Sequence, residues 1–355
     1  MTATNPTRVH LVGSIPLTNA ESVFAAVART LGSRVARIPD GETGERSNWI
    51  AWQLPLLQAH PHFEVDPQSP EPRRASAEDG LAVDAPGFRF LRVAPGVAEA
   101  DLHIETRYAE HAIESFRTFD RLQRAGRIAP GVRFQVSLPT PYAVASLYVA
   151  PGSWPRFLPA YERALVREIA TLADAIPAER LAIQWDVCME VIACEGLLPV
   201  PADDAEAFTF GELGGLCSQV DPAVEVGIHL CYGDASHEHI VEPTDARILT
   251  RLANGIVAAA GRRLDWIHLP VPKERHDAAF FEPLKRLRLP PQTRLYLGLV
   301  HMTDAEEGAQ RRIAAARAAV AEFGIATECG FGRRPPETVV PLLELHERIA
   351  ERADP

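Results

Sequence analysis

A histidine and a cysteine two positions apart, His229 and Cys231, close an apolar run at 224–230. On an extended strand, residues two apart share a face. Imidazole and thiolate are the donors that Zn²⁺ prefers. Taken alone, such a pair reads more readily as a buried, inert one. Cys329 strengthens the chemical reading. It follows another apolar run, at 324–327, and precedes Gly330, which permits a tight turn. Three such ligands leave one coordination position open, the arrangement of a catalytic rather than a structural zinc. His268, Glu274 and His301 are further ligand candidates, each equally readable as a hydrogen-bonded or surface residue. Asp186 ends the run 181–185. A carboxylate there needs a partner, either a substrate amine or an arginine, because burying it alone is costly. Glu42 lies in a glycine-flanked turn, where it is a substrate-binding candidate or a solvated acid. Ser14, after Gly13, could bond a substrate carboxylate or simply start a helix. Cys188, Cys194 and Cys217 fit no ligand spacing and read as packing thiols. Arg333 and Arg334 read as solvated or acid-paired, with anion binding as the alternative.

The elements that must position these residues recur along the chain. Short apolar runs fall at 8–12, 34–38, 132–138, 181–185, 224–230, 264–269, 294–300 and 324–327. Helical patterns separate them. Val23, Val27 and Leu31 share one face of a helix over 20–31, with Asn19 as its cap. Further helices are expected over 107–125, 154–176, 304–323 and 335–352. Runs that are apolar on both faces suit a parallel sheet. Eight strand–helix units in one chain predict an α/β fold, a (β/α)8 TIM barrel in a single domain, 1–355. A doubly wound open sheet is the alternative, and it lacks a glycine-rich phosphate loop. Residues 51–130 are too long for one β/α connection and read as an insertion after the second strand. Trp49 and Trp52 stand at the base of this segment, which could form a lid. Its 64–86 stretch is rich in proline, serine and charge. In a barrel, catalytic residues sit after the C-terminal ends of strands. Ser14, Glu42, Asp186, Cys231, His301 and Cys329 all follow or end an apolar run.

Composition narrows the class of partner. The net charge of -11 argues against nucleic acid or an anionic membrane as the main partner. No apolar run approaches the roughly 20 residues that a membrane span needs. Residues 1–14 show no basic stretch leading into an apolar core, so no secretory signal is expected. Five cysteines, an odd number in a chain of 355, are not a disulfide framework. They suggest a reducing cytoplasmic setting with thiols available for chemistry or metal.

Together these residues resemble the C-terminal catalytic barrel of cobalamin-independent methionine synthase, in the superfamily that also holds uroporphyrinogen decarboxylase. Gly13-Ser14-Ile15-Pro16 looks like that family's Gly-Ser-Phe-Pro opening, which contacts homocysteine. Gly41-Glu42 with Glu45-Arg46 looks like its Gly-Glu-x-x-Glu-Arg segment, whose first glutamate binds the substrate amine. Ile183-Gln184-Trp185-Asp186 is similar to its Ile-Gln-x-Asp strand, whose aspartate does likewise. His229-x-Cys231 and Cys329-Gly330 match its zinc ligands. There are departures. Pro270 stands where the family has a ligand glutamate, and His268 could substitute as a fourth ligand. His301-x-Thr303 replaces the family's Asp-x-His, and His301 is the candidate proton donor. The resemblance implies zinc-dependent transfer of a methyl or other alkyl group between a small-molecule donor and a small thiol. Asp186 and His301 would be catalytic, with Ser14, Glu42 and Asp186 binding substrate. One alternative is a metal-independent lyase or decarboxylase of the same superfamily, using Arg46, Arg334 and Asp186. Another is a non-catalytic barrel that binds a small molecule.

Overall fold

Short runs with apolar residues on both faces need cover on both sides, and a parallel sheet flanked by helices supplies it. The computed structural model describes residues 7–69, 89–233 and 239–354. Its strands are β1 (Arg37–Pro39), β2 (Phe63–Val65), β3 (Leu91–Val93), β4 (Arg133–Pro139), β5 (Leu181–Val187), β6 (Glu225–Leu230), β7 (Trp266–Pro270), β8 (Arg294–Gly298) and β9 (Gly324–Ile325). Seven of them form one parallel sheet in the order β1-β4-β5-β6-β7-β8-β9. Every residue of β5 and β7 is buried. The helices are α1 (Ala20–Leu31), α2 (Gln53–Ala59), α3 (Tyr108–Arg124), α4 (Pro141–Tyr148), α5 (Trp154–Ala175), α6 (Met189–Cys194), α7 (Ala205–Ser218), α8 (Arg247–Ala259), α9 (Ala278–Phe281), α10 (Ala305–Arg317) and α11 (Val339–Ala353). Asn19 caps α1 as expected, its side chain accepting from the Ser22 N–H at 2.9 Å.

The run at 8–12 is not a continuous strand. Val9 makes isolated parallel bridges to Val35 on one side and Ile325 on the other. Its N–H donates to Arg34 at 3.0 Å, and the His10 N–H donates to Ile325 at 2.9 Å. One short segment thus touches both ends of the sheet, which is therefore curled. Within the insertion, β2 and β3 form an antiparallel ribbon. Residues 70–88, which carry most of the proline-rich stretch, lie outside the described residues. Trp52 packs edge-on against Tyr108 and His111 at the start of α3. Among the described residues no helix is long and apolar enough to cross a membrane.

Large side chains fill the inner face of the curl at one end. Trp266 lies against Gly227, where an added Cβ would come within 1.9 Å of the indole. Arg37 stacks over the same ring at 3.8 Å and pairs with Glu225 at 3.0 Å. His10 packs on Trp266 and Tyr296. This floor leaves the opposite end, at the C-terminal ends of the strands, as the place for a site.

A buried acid pair lies outside the sheet, between α4, α6 and α7. Glu190 accepts from the Thr140 hydroxyl, and Glu212 accepts from the Tyr142 N–H at 3.0 Å. Burial pushes the Glu190 carboxyl up to about 7 and raises Glu212 well above the usual range, helped by Glu190 itself. The fold therefore favours a proton on this pair. A carboxyl raised in the fold contributes stability at low pH and loses it as pH rises through the folded value. Thermal melts between about pH 4.5 and pH 7 are expected to show a falling midpoint, from the unfolded value of a glutamate to the folded value of Glu190. Glu212→Gln, whose amide replaces the protonated acid, should make that fall shallower. An equal slope in both proteins would show that the pair does not titrate.

Candidate metal centre

Parallel strands of the sheet deliver their C-terminal ends to one rim, and the chemical residues follow in order. Asp186 is the penultimate residue of β5, in register with His229 on β6, which is in register with His268 on β7. Cys231 lies one residue beyond β6, and Cys329 follows β9 across the curl. The ligand atoms of His229, Cys231 and Cys329 all lie within 4.8 Å of one another. The two Sγ atoms are 3.8 Å apart and are not joined as a disulfide. Two thiolates at about 2.3 Å from one tetrahedral ion would lie about 3.8 Å apart. His229 is 3 % exposed, and its Nε2 has no protein partner. Burial and the neighbouring His268 ring keep this imidazole neutral, its pKa well below the ordinary value. A neutral imidazole with a buried, unpartnered nitrogen beside two thiols fits a zinc site.

Gly330 explains why the rim closes so tightly. A Cβ there would sit 2.3 Å from Ser14 Oγ. The Phe331 N–H donates to the Ser14 carbonyl at 2.7 Å, and Ser14 bridges Gly41. Ser14, the turn carrying Glu42 and the Cys329 loop are thereby drawn together. Glu42 and Trp49 both hold left-handed backbone angles, φ 51° and 41°. Such strain in non-glycine residues gathers at functional sites.

A cavity opens on this rim. Ser14, Glu42, Trp49, Asp186, His229, Cys231 and Cys329 line it, with Tyr148 and Met189 as apolar wall. Burial pushes the Asp186 carboxyl up to about 7, against hydrogen bonds from Gln184 and Trp49. Burial and the nearby Asp186 raise Glu42 well above its usual range. Two such carboxyls facing one cavity are poised to ionise around a cation. Gln184 holds Asp186 at 2.8 Å, reaches the Val12 carbonyl at 2.6 Å, and takes His10 Nε2 at 2.9 Å.

A second cavity shares Cys231, Gly233, Cys329 and Gly330 with the first. Its wall includes Lys273, Arg275, Arg334, His239, His301 and Glu328. His301 Nε2 bonds the Val271 carbonyl at 2.9 Å and stands 3.6 Å from Glu328. Burial lowers its pKa. The sequence reading missed His239. Its two nitrogens lie 3.3 Å from Glu242 and from Glu328, and these carboxylates raise it to about 10 against the opposing pull of burial. His239 and Glu242 stand three residues apart, but nothing local ties them to Glu328, so only the fold could reveal the group.

The remaining candidates divide. His268 is outside the three-residue group and meets His229 through Nδ1 at 2.7 Å. Glu274 is largely exposed beside Lys273. Cys188 lines the first cavity, a place the sequence reading did not give it. Cys194 and Cys217 are pushed up to about 12 by burial and stand away from both cavities. Arg46 pairs with Asp40 at 2.7 Å, Arg334 lines only the second of the two cavities, and Asp186 lines only the first. The charged set of the lyase alternative therefore does not converge on one cavity.

No family model matches the sequence, and no curated protein matches it. Solved structures do. A B12-independent methionine synthase from Shewanella sp. W3-18-1, in complex with selenomethionine, superposes with a TM-score of 0.64 at 13 % identity, covering 99 % of this chain and 98 % of that one. A putative vitamin-B12 independent methionine synthase from Listeria monocytogenes gives 0.58 at 13 % identity, covering 99 % of both chains. Over nearly its whole length, the chain is thus similar in fold to cobalamin-independent methionine synthase-like proteins.

Proposed function

We propose that the protein transfers a methyl or other alkyl group to or from a small thiol, using zinc held by His229, Cys231 and Cys329. The observation that carries this reading is the 3.8 Å separation of the two Sγ atoms beside the unpartnered His229 Nε2. A bound zinc would keep the substrate thiol deprotonated near neutral pH, where a free thiol with pKa about 8.5 is mostly protonated. The neighbour solved with selenomethionine supports an amino-acid ligand for the first cavity. Asp186 and Glu42 bind the ammonium there, and Ser14 bonds the carboxylate. The alkyl donor occupies the second cavity. The substrate sulfur attacks the donor's alkyl carbon in line. An S–C bond forms as the carbon–donor bond breaks, and the electron pair leaves with the donor. His301 supplies the proton that this leaving group needs. Its lowered pKa makes the imidazolium a stronger acid, though a scarcer one near neutrality.

Metal analysis of the purified protein tests the reading. About one zinc per chain is expected, with thiol consumption lost on chelation and restored by added zinc. Full activity in zinc-free protein would defeat it. A second expectation follows from Asp186. An ammonium binds a carboxylate better than a neutral acid, so KM for an amino-acid thiol should fall as pH rises through about 7. Asp186→Asn should raise KM and flatten this profile. A pH dependence that survives the substitution would place the titration elsewhere.

A further inference from the structure

The contact between His229 and His268 constrains which nitrogen of His229 is available. Both rings are buried, at 3 % and 0 % exposure. Their Nδ1 atoms are 2.7 Å apart, and the rings stack with centroids 4.8 Å apart. Among the described residues no carboxylate pairs with either ring, so a second positive charge here would be uncompensated. Two imidazole nitrogens at this distance hold one hydrogen between them: one donates and the other accepts. If His268 donates, the hydrogen of neutral His229 sits on Nε2, and that nitrogen cannot bind a metal. If His229 donates, its Nε2 presents a lone pair. Nε2 is the nitrogen of His229 that is buried without a hydrogen-bond partner, and His229 is the ring of the two that belongs to the group with Cys231 and Cys329.

We infer that His268 accepts the Nδ1–H of His229 and so fixes the tautomer and ring orientation that aim Nε2 at the metal. His268 is then a positioning residue and not a fourth ligand. This inference rests on the zinc reading above. It accounts for the exclusion of His268 from the group formed by His229, Cys231 and Cys329.

The test compares zinc affinity, by chelator competition, in the wild type, His268→Gln and His268→Leu. Glutamine can accept the His229 hydrogen, and leucine cannot. Loss of such a supporting partner costs about 10–100-fold in metal affinity. His268→Leu should weaken binding by that factor, and His268→Gln should recover most of it. Substituted Co²⁺ should keep its thiolate charge-transfer band in both variants. Nitrogen-15 shifts of the zinc-loaded wild type give a readout that needs no variant: His229 should be protonated at Nδ1 and metal-bound at Nε2. Unchanged affinity in His268→Leu would overturn the inference and leave the zinc site standing. So would loss in both variants as complete as in His229→Ala, since His268 would then be a ligand. A wild type that binds no zinc would defeat the underlying reading itself.

Discussion

Cys231→Ser is expected to purify with less than about a tenth of a zinc per chain and to lose at least about 1,000-fold in alkyl transfer. Serine keeps nearly the same size and removes only the donor chemistry. A hydroxyl is a harder and far weaker acid than a thiol, so it will not supply the soft anionic ligand that zinc prefers. Two protein ligands would remain, His229 and Cys329, and their Sγ–Nε2 pair alone cannot enclose an ion. Structural zinc sites contribute roughly 10–16 kcal/mol of binding free energy, so one ligand in three is worth several kcal/mol. A loss of about 4 kcal/mol is about 1,000-fold. The fold should survive, because Cys231 lies beyond the end of β6 and faces a cavity. Circular dichroism and thermal unfolding of metal-free wild type and variant should therefore coincide. A serine variant that retains one zinc and normal turnover would remove Cys231 from the centre.

The second large effect is on stability. Arg312 is 1 % exposed on α10. Its guanidinium donates to the Leu299 carbonyl at 3.0 Å, to the Lys273 carbonyl at 2.6 Å, and to both Asp304 oxygens at 2.6 and 2.9 Å. One side chain thus ties the loop after β7 to the loop after β8. Arg312→Met keeps the apolar stem and deletes every donor. Arg312 is buried but Asp304 is partly exposed, so the main cost is the two carbonyls of Leu299 and Lys273 left short of a donor, together about 2–3 kcal/mol. For a chain of this size, that is a drop of several degrees in the unfolding midpoint. Pairing the substitution with Asp304→Asn should recover part of the loss, since no charge then remains uncompensated. His301 lies between the two tied segments, so turnover should fall even below the melting range. A variant within about 0.5 kcal/mol of wild type would show that the pair is neutral in this setting.

Much of the scaffold was legible because burial writes a period into the sequence. The all-apolar runs became β4 to β8 with ends displaced by a residue or two. The Asn19 cap and the amphipathic spacing placed α1 residue for residue. The centre was partly legible for the same reason. Residues two apart at a strand end face one way, and this put His229 and Cys231 together. What could not be read depends on contacts between distant segments. The run at 8–12 satisfies two different edges through single bridges, so its apolar pattern promised a strand that the hydrogen bonds do not make. The helix expected to 323 stops at Arg317, because alanine-rich sequence has no punctuation to mark its end. The ribbon of β2 and β3 joins segments some two dozen residues apart and leaves no hairpin signal. His268 shares the apolar pattern of β7 with its neighbours. Only the fold reveals its 2.7 Å approach to His229.

The two cavities meet at a partition made of Cys231, Gly233, Cys329 and Gly330. On the proposed reading each reactant has its own vestibule, and filling one need not empty the other. On that reading the protein can assemble thiol and donor at once before any bond changes. It has no need to carry the alkyl group on its own side chains between half-reactions. Initial-rate plots should intersect rather than run parallel, and donor alone should give no burst of leaving group. Donor preference could then drift through changes in one vestibule's wall while the thiol-binding wall stays as it is.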